Sequence, residues 1–151
     1  MTGLVSLPAM EALMARCTAN GHRLTALRRD VLGLLVKRGG SASAYELINE
    51  LPGIGRHDAP PSVYRALYFL ISAGVVARIA STNTFVIAPR APTQHMAFLV
   101  CNTCGAVKPV DVACLDGALT HAAKAAQYEI THRHTEINGI CASCRVSEGE
   151  A

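Results

Sequence analysis

Two cysteine pairs constrain the fold of this chain more than any other feature of its sequence. Cys101 and Cys104 form one C-x-x-C motif, Cys141 and Cys144 form a second, and residues 105–140 lie between them. Four thiolates from two such turns suit a tetrahedral Zn²⁺ ion, with Zn–S distances of about 2.3 Å. A site made of four cysteines has no open coordination position, so we predict a structural zinc site and not a catalytic one.

Other interpretations of these cysteines fit less well. The pairs could be unrelated or disulfide-bonded, and a thioredoxin-type redox site would need a single C-x-x-C motif that opens a helix. His134, Glu136 and Cys141 imitate the signature of zinc deaminases. However, only four residues separate Glu136 from Cys141, and Ile140 stands where that signature has proline. Because the sequence shows no nucleophile–base set and no open metal site, we predict that the protein is not an enzyme.

The first half of the chain has the pattern of a winged helix-turn-helix domain. Apolar periodicity, helix caps and glycines predict up to four helices followed by a β-hairpin. Thr25 is expected to cap the second helix, and Ser43 with Glu46 forms a capping box for the third. The helices are expected at 8–20, from Thr25 to Gly39, from Ser43 to Leu51 and from Pro61 to Gly74, and the strands at 75–80 and 84–88.

The second half of the chain predicts a small α/β module that contains both cysteine pairs. Strands are expected over 95–101, 106–112 and around 128–137, with a helix from about Ala113 to Gln127. Residues 89–94, rich in proline, are expected to form a hinge. The predicted fold class is therefore α+β, with a winged-helix domain over 1–88, the hinge over 89–94 and a zinc-binding domain over 95–151.

Charge and the fourth helix together point to DNA. Residues 1–88 carry nine Lys or Arg against five Asp or Glu, whereas residues 89–151 carry five against six. A basic half is the better candidate for binding a polyanion. In the fourth helix Ser62, Tyr64 and Arg65 lie in the first turns, where a recognition helix reads base edges. We predict DNA contacts by these three residues and backbone contacts by Tyr45 and Arg28, the alternative being ordinary solvated side chains.

Several segments together resemble the ferric-uptake-regulator family. The matching segments are HRLTALRRDVLGLL (22–35), SAYELINEL (43–51), PPSVYRALYFLISAGVVARIASTNTFV (60–86) and the cysteine motifs within 101–144. The similarity covers about residues 10–145. The VYRAL segment, the Ser-Thr-Asn turn and the CGAVK run look more like zinc-uptake regulators than iron regulators.

This resemblance implies a function. A member of the zinc-uptake branch would be a zinc-responsive transcriptional repressor that binds palindromic operator DNA as a metal-loaded homodimer. The second domain would hold the dimer together, and Tyr64 and Arg65 fall on the family's DNA-reading positions. The alternatives are an iron- or peroxide-responsive regulator of the same family, or a zinc-ribbon module that binds proteins and not DNA.

A second, regulatory metal site is common in the family, and here its usual wing and hinge ligands are mostly missing, whereas Asp116 and His132 lie near positions that resemble its carboxylate and histidine ligands. Ala77 and Ala88 stand where relatives often place ligands in the wing, and the hinge region offers only His95. The remaining candidates for a regulatory zinc site are His95, Asp116, His132 and His134. Imidazole and carboxylate groups suit zinc, although these histidines could equally be surface or dimer-contact residues.

The remaining features concern location and the other cysteines and histidines. The longest apolar stretch, Met96 to Cys101, is far shorter than the ~20 residues of a membrane helix. The first residues do not have the pattern of a signal peptide, so we expect a cytoplasmic protein without membrane contacts. Cys17 and Cys114 are expected to be buried apolar residues. His22, His57 and His121 are expected to face solvent or cap helices.

Overall fold

The chain divides into two compact units. The computed structural model describes residues 7–19, 21–51, 59–89, 96–130 and 134–148. One unit comprises Ser6–Ala91, and the other includes Pro92–Ala151. None of the described helices is both long and apolar enough to span a membrane.

The first unit has the helix and strand order expected of a winged helix-turn-helix. Its elements are α1 (Met10–Ala19), α2 (Ala26–Lys37), β1 (Ser41–Ser43), α3 (Ala44–Glu50), α4 (Ala59–Ser72), β2 (Val76–Ile79) and β3 (Thr84–Ile87). The three strands form an antiparallel sheet in the order β1-β3-β2. Strand β1 was not predicted, because three residues are too few to show a strand pattern in the sequence and the strand is defined by its pairing with β3.

The predicted helix ends are formed by local hydrogen bonds. The Thr25 hydroxyl accepts a bond from the Arg28 backbone N–H at 3.4 Å. The capping box is complete, since the Ser43 hydroxyl accepts from the Glu46 N–H at 3.3 Å and the Glu46 carboxylate accepts from the Ser43 N–H at 2.8 Å. Gly40 ends the turn after α2 with φ of 98°, and its N–H donates to the Leu35 carbonyl at 2.8 Å. A positive φ of this kind favours glycine.

An apolar core joins the helices of the first unit to its sheet. The cluster draws buried residues from every element of this unit, among them Leu13, Leu35, Leu47, Leu67 and Phe85. Cys17 is fully buried in it, as predicted. Burial of large apolar side chains stabilises a domain by about 1.5–3 kcal/mol each, so this core is sufficient to position α3 and α4.

The second unit is a small three-stranded sheet with short helices. Its elements are β4 (Met96–Cys101), β5 (Val107–Asp111), a 3₁₀ helix (Ala113–Leu115), α5 (Asp116–Ala125), β6 (His134–Gly139) and α6 (Ala142–Glu148). The sheet order is β5-β4-β6, with β4 antiparallel to β5 and parallel to β6. The register pairs Met96 with His134 and Cys101 with Gly139.

Two sequence-based expectations for this unit differ from the structure, and one helix was not predicted. The strand expected around 128–137 is formed by His134–Gly139, and residues 128–130 are not part of it. Helix α6 was not predicted, because it is only seven residues long and has no apolar stripe. Cys114 was expected to be buried, which is wrong. It lies exposed in the 3₁₀ turn just after Val112, the last buried residue among those described.

Candidate metal centre and nucleic-acid interface

The four paired cysteines lie together at one end of the second sheet. Their Sγ atoms all lie within 4.8 Å of one another. The Sγ atoms of Cys104 and Cys141 are 3.8 Å apart, far longer than the ~2.05 Å of a disulfide. Tetrahedral geometry with Zn–S of about 2.3 Å requires sulfur atoms about 3.8 Å apart. The cluster therefore has the donor type that zinc prefers, and the Cys104–Cys141 separation matches that of a tetrahedral site.

Strand pairing brings the two cysteine motifs together. Cys101 ends β4 beside Gly139 of β6, and the Asn102 N–H extends this pairing by donating to the Gly139 carbonyl at 2.8 Å. The turn after Cys101 closes when the Gly105 N–H donates to the Cys101 carbonyl at 2.9 Å, and Gly105 has φ of +72°. The second motif reaches the first through the Cys141 N–H, which donates to the Cys101 sulfur at 3.3 Å.

The surrounding hydrogen bonds shift the pKa values of three of the cysteines in different directions. Backbone N–H donors, first that of Cys141 and then that of Cys104, lower the pKa of Cys101 to about 6. The backbone N–H of Cys144 is the main cause of a lowered pKa at Cys141. The thiol of Cys144 shares its proton with the sulfurs of Cys141 and Cys104, which raises its pKa to about 12. A divalent cation would take the place of that proton, because metal ligands are thiolates.

Helix α4 presents one apolar face to the core and another face to solvent. Val63, Ala66, Leu67 and Leu70 are buried, whereas Arg65 is exposed. The sequence of α4 contains no acidic residue, and Arg65 is its one charged residue. This outer face is therefore compatible with a polyanion.

Two of the predicted contact residues on α4 are only partly exposed. Ser62 and Tyr64 are half-buried. The Tyr64 ring packs edge-on against Phe85 of β3, with ring centroids 6.4 Å apart. This contact with the wing strand restricts where the Tyr64 hydroxyl can reach.

The two predicted backbone contacts differ in their surroundings. Tyr45, the second residue of α3, is 74% exposed. The Arg28 guanidinium lies 3.5 Å above the ring of Phe69 and donates to the Arg23 carbonyl at 2.7 Å. Arg28 therefore already has partners within its own unit. His22 packs edge-on against the same Phe69 ring at 5.3 Å and is half-buried, while His121 is exposed, as expected.

Sequence reasoning missed one residue of this surface. Tyr68 is 54% exposed on α4, and its ring lies 6.3 Å from that of Tyr64. Its spacing of three residues from Arg65 and four from Tyr64 was the available signal, because residues three and four apart share a helix face.

The comparison with protein families decides what the chain is. The model of the ferric uptake regulator family matches residues 19–138. The chain belongs to this family. Its predicted α+β fold, with a winged helix-turn-helix domain and a C-terminal domain that contains a cysteine cluster, is confirmed by this match and by structures of family members.

Zinc regulators of the ferric uptake regulator family are similar over most of the chain. The zinc uptake regulation protein of Escherichia coli (strain K12) is 35% identical over 130 residues, which cover 85% of this chain and 76% of that protein. A zinc uptake regulator solved in complex with zinc and DNA has a TM-score of 0.79 and 32% identity, covering 94% of this chain and 99% of that one. The holo form of XcZur has a TM-score of 0.76 and 32% identity, covering 91% and 99%.

The described part of the chain does not place the candidate ligands of a second metal site close together. His95 and His132 lie outside these residues, as does His57. Asp116 begins α5 and is half-buried, and His134 begins β6. Within the described part of the chain, the four cysteines are the one converging group of three or more Cys, His, Asp or Glu side chains.

Neither wing position of this chain can supply a side-chain metal ligand. Ala77 and Ala88 have only a methyl group as their side chain. The Ala88 carbonyl accepts a hydrogen bond from the Arg16 guanidinium at 2.6 Å, and the Gly74 carbonyl accepts another from it at 2.5 Å. The half-buried Arg16 side chain therefore holds the end of the wing strand against α1.

Proposed function

We propose that this protein is a zinc-responsive transcriptional repressor that binds palindromic operator DNA as a zinc-loaded homodimer and controls zinc uptake genes. The observation that carries this proposal is the likeness, across 94% of the chain, to a zinc uptake regulator solved with zinc and DNA. A repressor of this kind requires no enzymatic activity. Because it would bind operator DNA, it would act in the cytoplasm.

Cys101, Cys104, Cys141 and Cys144 hold a structural zinc ion in this proposal. Their sulfur spacing suits tetrahedral zinc, and two of the thiols have a lowered pKa. The ion joins the end of β4 and the turn that follows it to the start of α6. Zinc in sites of this kind contributes folding free energy on the order of 10 kcal/mol.

The first unit supplies DNA recognition. Arg65 on α4 is exposed and has the fork geometry that pairs with guanine O6 and N7. Tyr64 and Ser62 flank it, and Tyr45 on α3 is free to reach the phosphate backbone. Arg28 completes the proposed set, although it would have to leave the Phe69 ring to reach a phosphate.

The second unit supplies the dimer interface. Several large apolar side chains there are 40–44% exposed, namely Leu99, Leu115, Leu119, Ile137 and Ile140. Leu99 and Ile137 are register partners on neighbouring strands, so they form a continuous apolar surface. Exposed apolar surface of this kind is typical of a protein–protein interface, and a second copy of the chain would cover it.

Zinc response would come from a regulatory ion bound by a subset of His95, Asp116, His132 and His134. Such an ion acts by binding more tightly to the conformation that fits DNA, which shifts the population toward it. Imidazole ligands suit zinc, and such a site would be separate from the four-thiolate structural site.

Selection of tight-binding duplexes from a randomised pool tests the proposal. With zinc present we expect a palindromic consensus, and binding that weakens steeply as salt rises because phosphate contacts release counterions. Arg65→Ala should weaken binding to the selected duplex by about ten- to a hundredfold and relax specificity at one base position. Lys124→Ala, which removes an exposed cation from α5, serves as the matched control and should bind as the wild type does.

Two outcomes would contradict the proposal. One is the absence of any enriched duplex sequence from protein that carries its structural zinc. The other is equal affinity for the selected duplex with and without added zinc, which would refute the zinc response while leaving DNA binding in place.

A further inference from the structure

We infer that Tyr68 is a DNA-backbone contact that lies beyond the base-reading part of α4. This inference rests on the proposed function and extends it to a residue outside the predicted contact set. The Tyr68 hydroxyl would donate to a phosphate oxygen at the flank of the major groove, and its ring would cover the adjoining sugar.

The exposure of Tyr68 sets it apart from its neighbours. Among the described residues of the first unit, only Leu7, Tyr45 and Tyr68 are large apolar or aromatic side chains that are substantially exposed. Both tyrosines lie on the helix-turn-helix pair, one on α3 and one on α4. The buried stripe of α4 passes through Leu67 and Leu70, so Tyr68 is not needed to hold the helix on the core.

Helix geometry places Tyr68 between the two predicted base-reading residues. At ~100° per residue, Tyr68 projects about 40° from Tyr64 and about 60° from Arg65. Its Cα also lies about 4.5 Å further along the helix axis than that of Arg65. The tilted contact between the Tyr64 and Tyr68 rings, at 6.3 Å, confirms that the two side chains share a face.

Position along the helix determines which part of DNA each residue meets. A recognition helix reads base edges from its N-terminal residues. We therefore expect a side chain one turn later to face the sugar–phosphate strand that borders the groove. Tyrosine is among the residues that bond phosphate oxygens, and such contacts fix the register of the protein without reading sequence.

Tyr68→Phe provides the test, because it removes only the hydroxyl and keeps the ring against Tyr64. We expect it to weaken binding by about three- to tenfold, equally for the selected duplex and for a mixed-sequence duplex of the same length. The salt slope should stay that of the wild type, since tyrosine carries no charge. The melting temperature should also stay unchanged. Tyr128→Phe, an exposed tyrosine of the second unit, is the matched control and should bind normally.

Other outcomes overturn the inference. Wild-type affinity of both Tyr68→Phe and Tyr68→Ala for both duplexes would exclude a DNA contact. Loss on the selected duplex alone would make Tyr68 a base-reading residue and contradict the backbone assignment. Failure of the wild type and of Tyr128→Phe to bind any duplex would refute the proposed function itself, which is a different result from a defect confined to Tyr68 variants.

Discussion

The two units differ in what holds them together. The first unit buries a cluster of large side chains such as Leu32, Leu47, Leu67 and Phe85, drawn from its helices and its sheet. In the second unit the buried residues all fall within 96–112, and no described side chain of residues 113–146 is buried. Beside this small buried core, which includes Ala97, Val110 and Val112, the second unit has a cluster of four thiols and an exposed apolar surface.

This difference implies that the stability of the first unit depends on apolar burial, whereas zinc and dimerisation act mainly on the second unit. A unit held by apolar burial has a structure that depends little on zinc, so it can keep α3 and α4 ready for DNA. A unit held by thiolate ligands and by a partner subunit depends on metal and on protein concentration. We therefore expect changes in zinc to act on the second unit, and changes in the core to act on the first.

The largest expected effect is loss of zinc from the second unit. Cys144→Ser removes one of four ligands, so we expect the structural zinc to be lost and the unit to lose its fold, since zinc contributes folding free energy on the order of 10 kcal/mol. Native mass spectrometry gives the zinc count, and sedimentation gives the oligomeric state. Cys114→Ser is the matched control, because Cys114 is exposed in the same unit and outside the cluster. Equal zinc content in both variants would contradict the assignment of Cys144.

A cavity in the core of the first unit should destabilise that unit and leave the second unchanged. Leu67→Ala removes a fully buried side chain and should lower the free energy of unfolding of the first unit by about 2–5 kcal/mol. Urea unfolding followed by hydrogen exchange at α2 and α4 measures this loss. Leu119→Ala, in a helix without buried side chains, should leave that unit unchanged. A fall in zinc content in Leu67→Ala would break the proposed independence of the two units.

A charge introduced on the exposed apolar surface of the second unit should weaken the dimer. Ile137→Asp places a carboxylate among the apolar side chains of the second sheet, so we expect dimer dissociation to become about ten- to a hundredfold easier by analytical ultracentrifugation. Zinc content should stay at the wild-type value. Tyr128→Asp, at a side chain 75% exposed, is the control. A dimer as strong as the wild type in Ile137→Asp would place the interface elsewhere.

The smallest expected effect comes from acid acting on the helix cap of α3. The backbone N–H of Ser43 is the main cause of a lowered pKa at Glu46, followed by the Ser43 side chain and by Arg38. The ionised carboxylate therefore stabilises the fold above its unfolded pKa of about 4.3, and this contribution disappears as pH falls through the lower folded value.

A comparison of the wild type with Glu46→Gln measures this contribution. Their difference in melting temperature should be constant from pH 7 to pH 5 and shrink as the pH falls below about 4.3. Glu50→Gln is the control, because Glu50 also pairs with Arg38 but is not part of the cap. A difference that grows on acidification would contradict the assigned direction of the pKa shift.

The sequence predicted what depends on local chemistry. The capping box at Ser43, the glycine turns and the paired cysteines are short-range patterns, and the structure contains them where they were expected. The family and its zinc-uptake branch also followed from residues 22–86 and 101–144, and the comparisons bear this out.

The sequence did not predict what depends on distant partners. Strand β1 exists through its pairing with β3, and α6 is a short helix attached to the second cysteine motif. Cys114 is exposed because it follows Val112, the last buried residue described in the second unit, and no local pattern marks that limit. The contact of Arg28 with Phe69 joins two helices whose relative position no local pattern specifies.

Hydrogen exchange on zinc-filled and chelator-treated protein, measured in parallel, tests the central claim most directly. We predict that chelation removes protection from β4, β5 and β6 while the amides of α2 and α4 keep theirs. Protection that survives in the second sheet after complete zinc removal, or that is lost equally in both units, would contradict the claim that the two halves of this regulator are held by different forces.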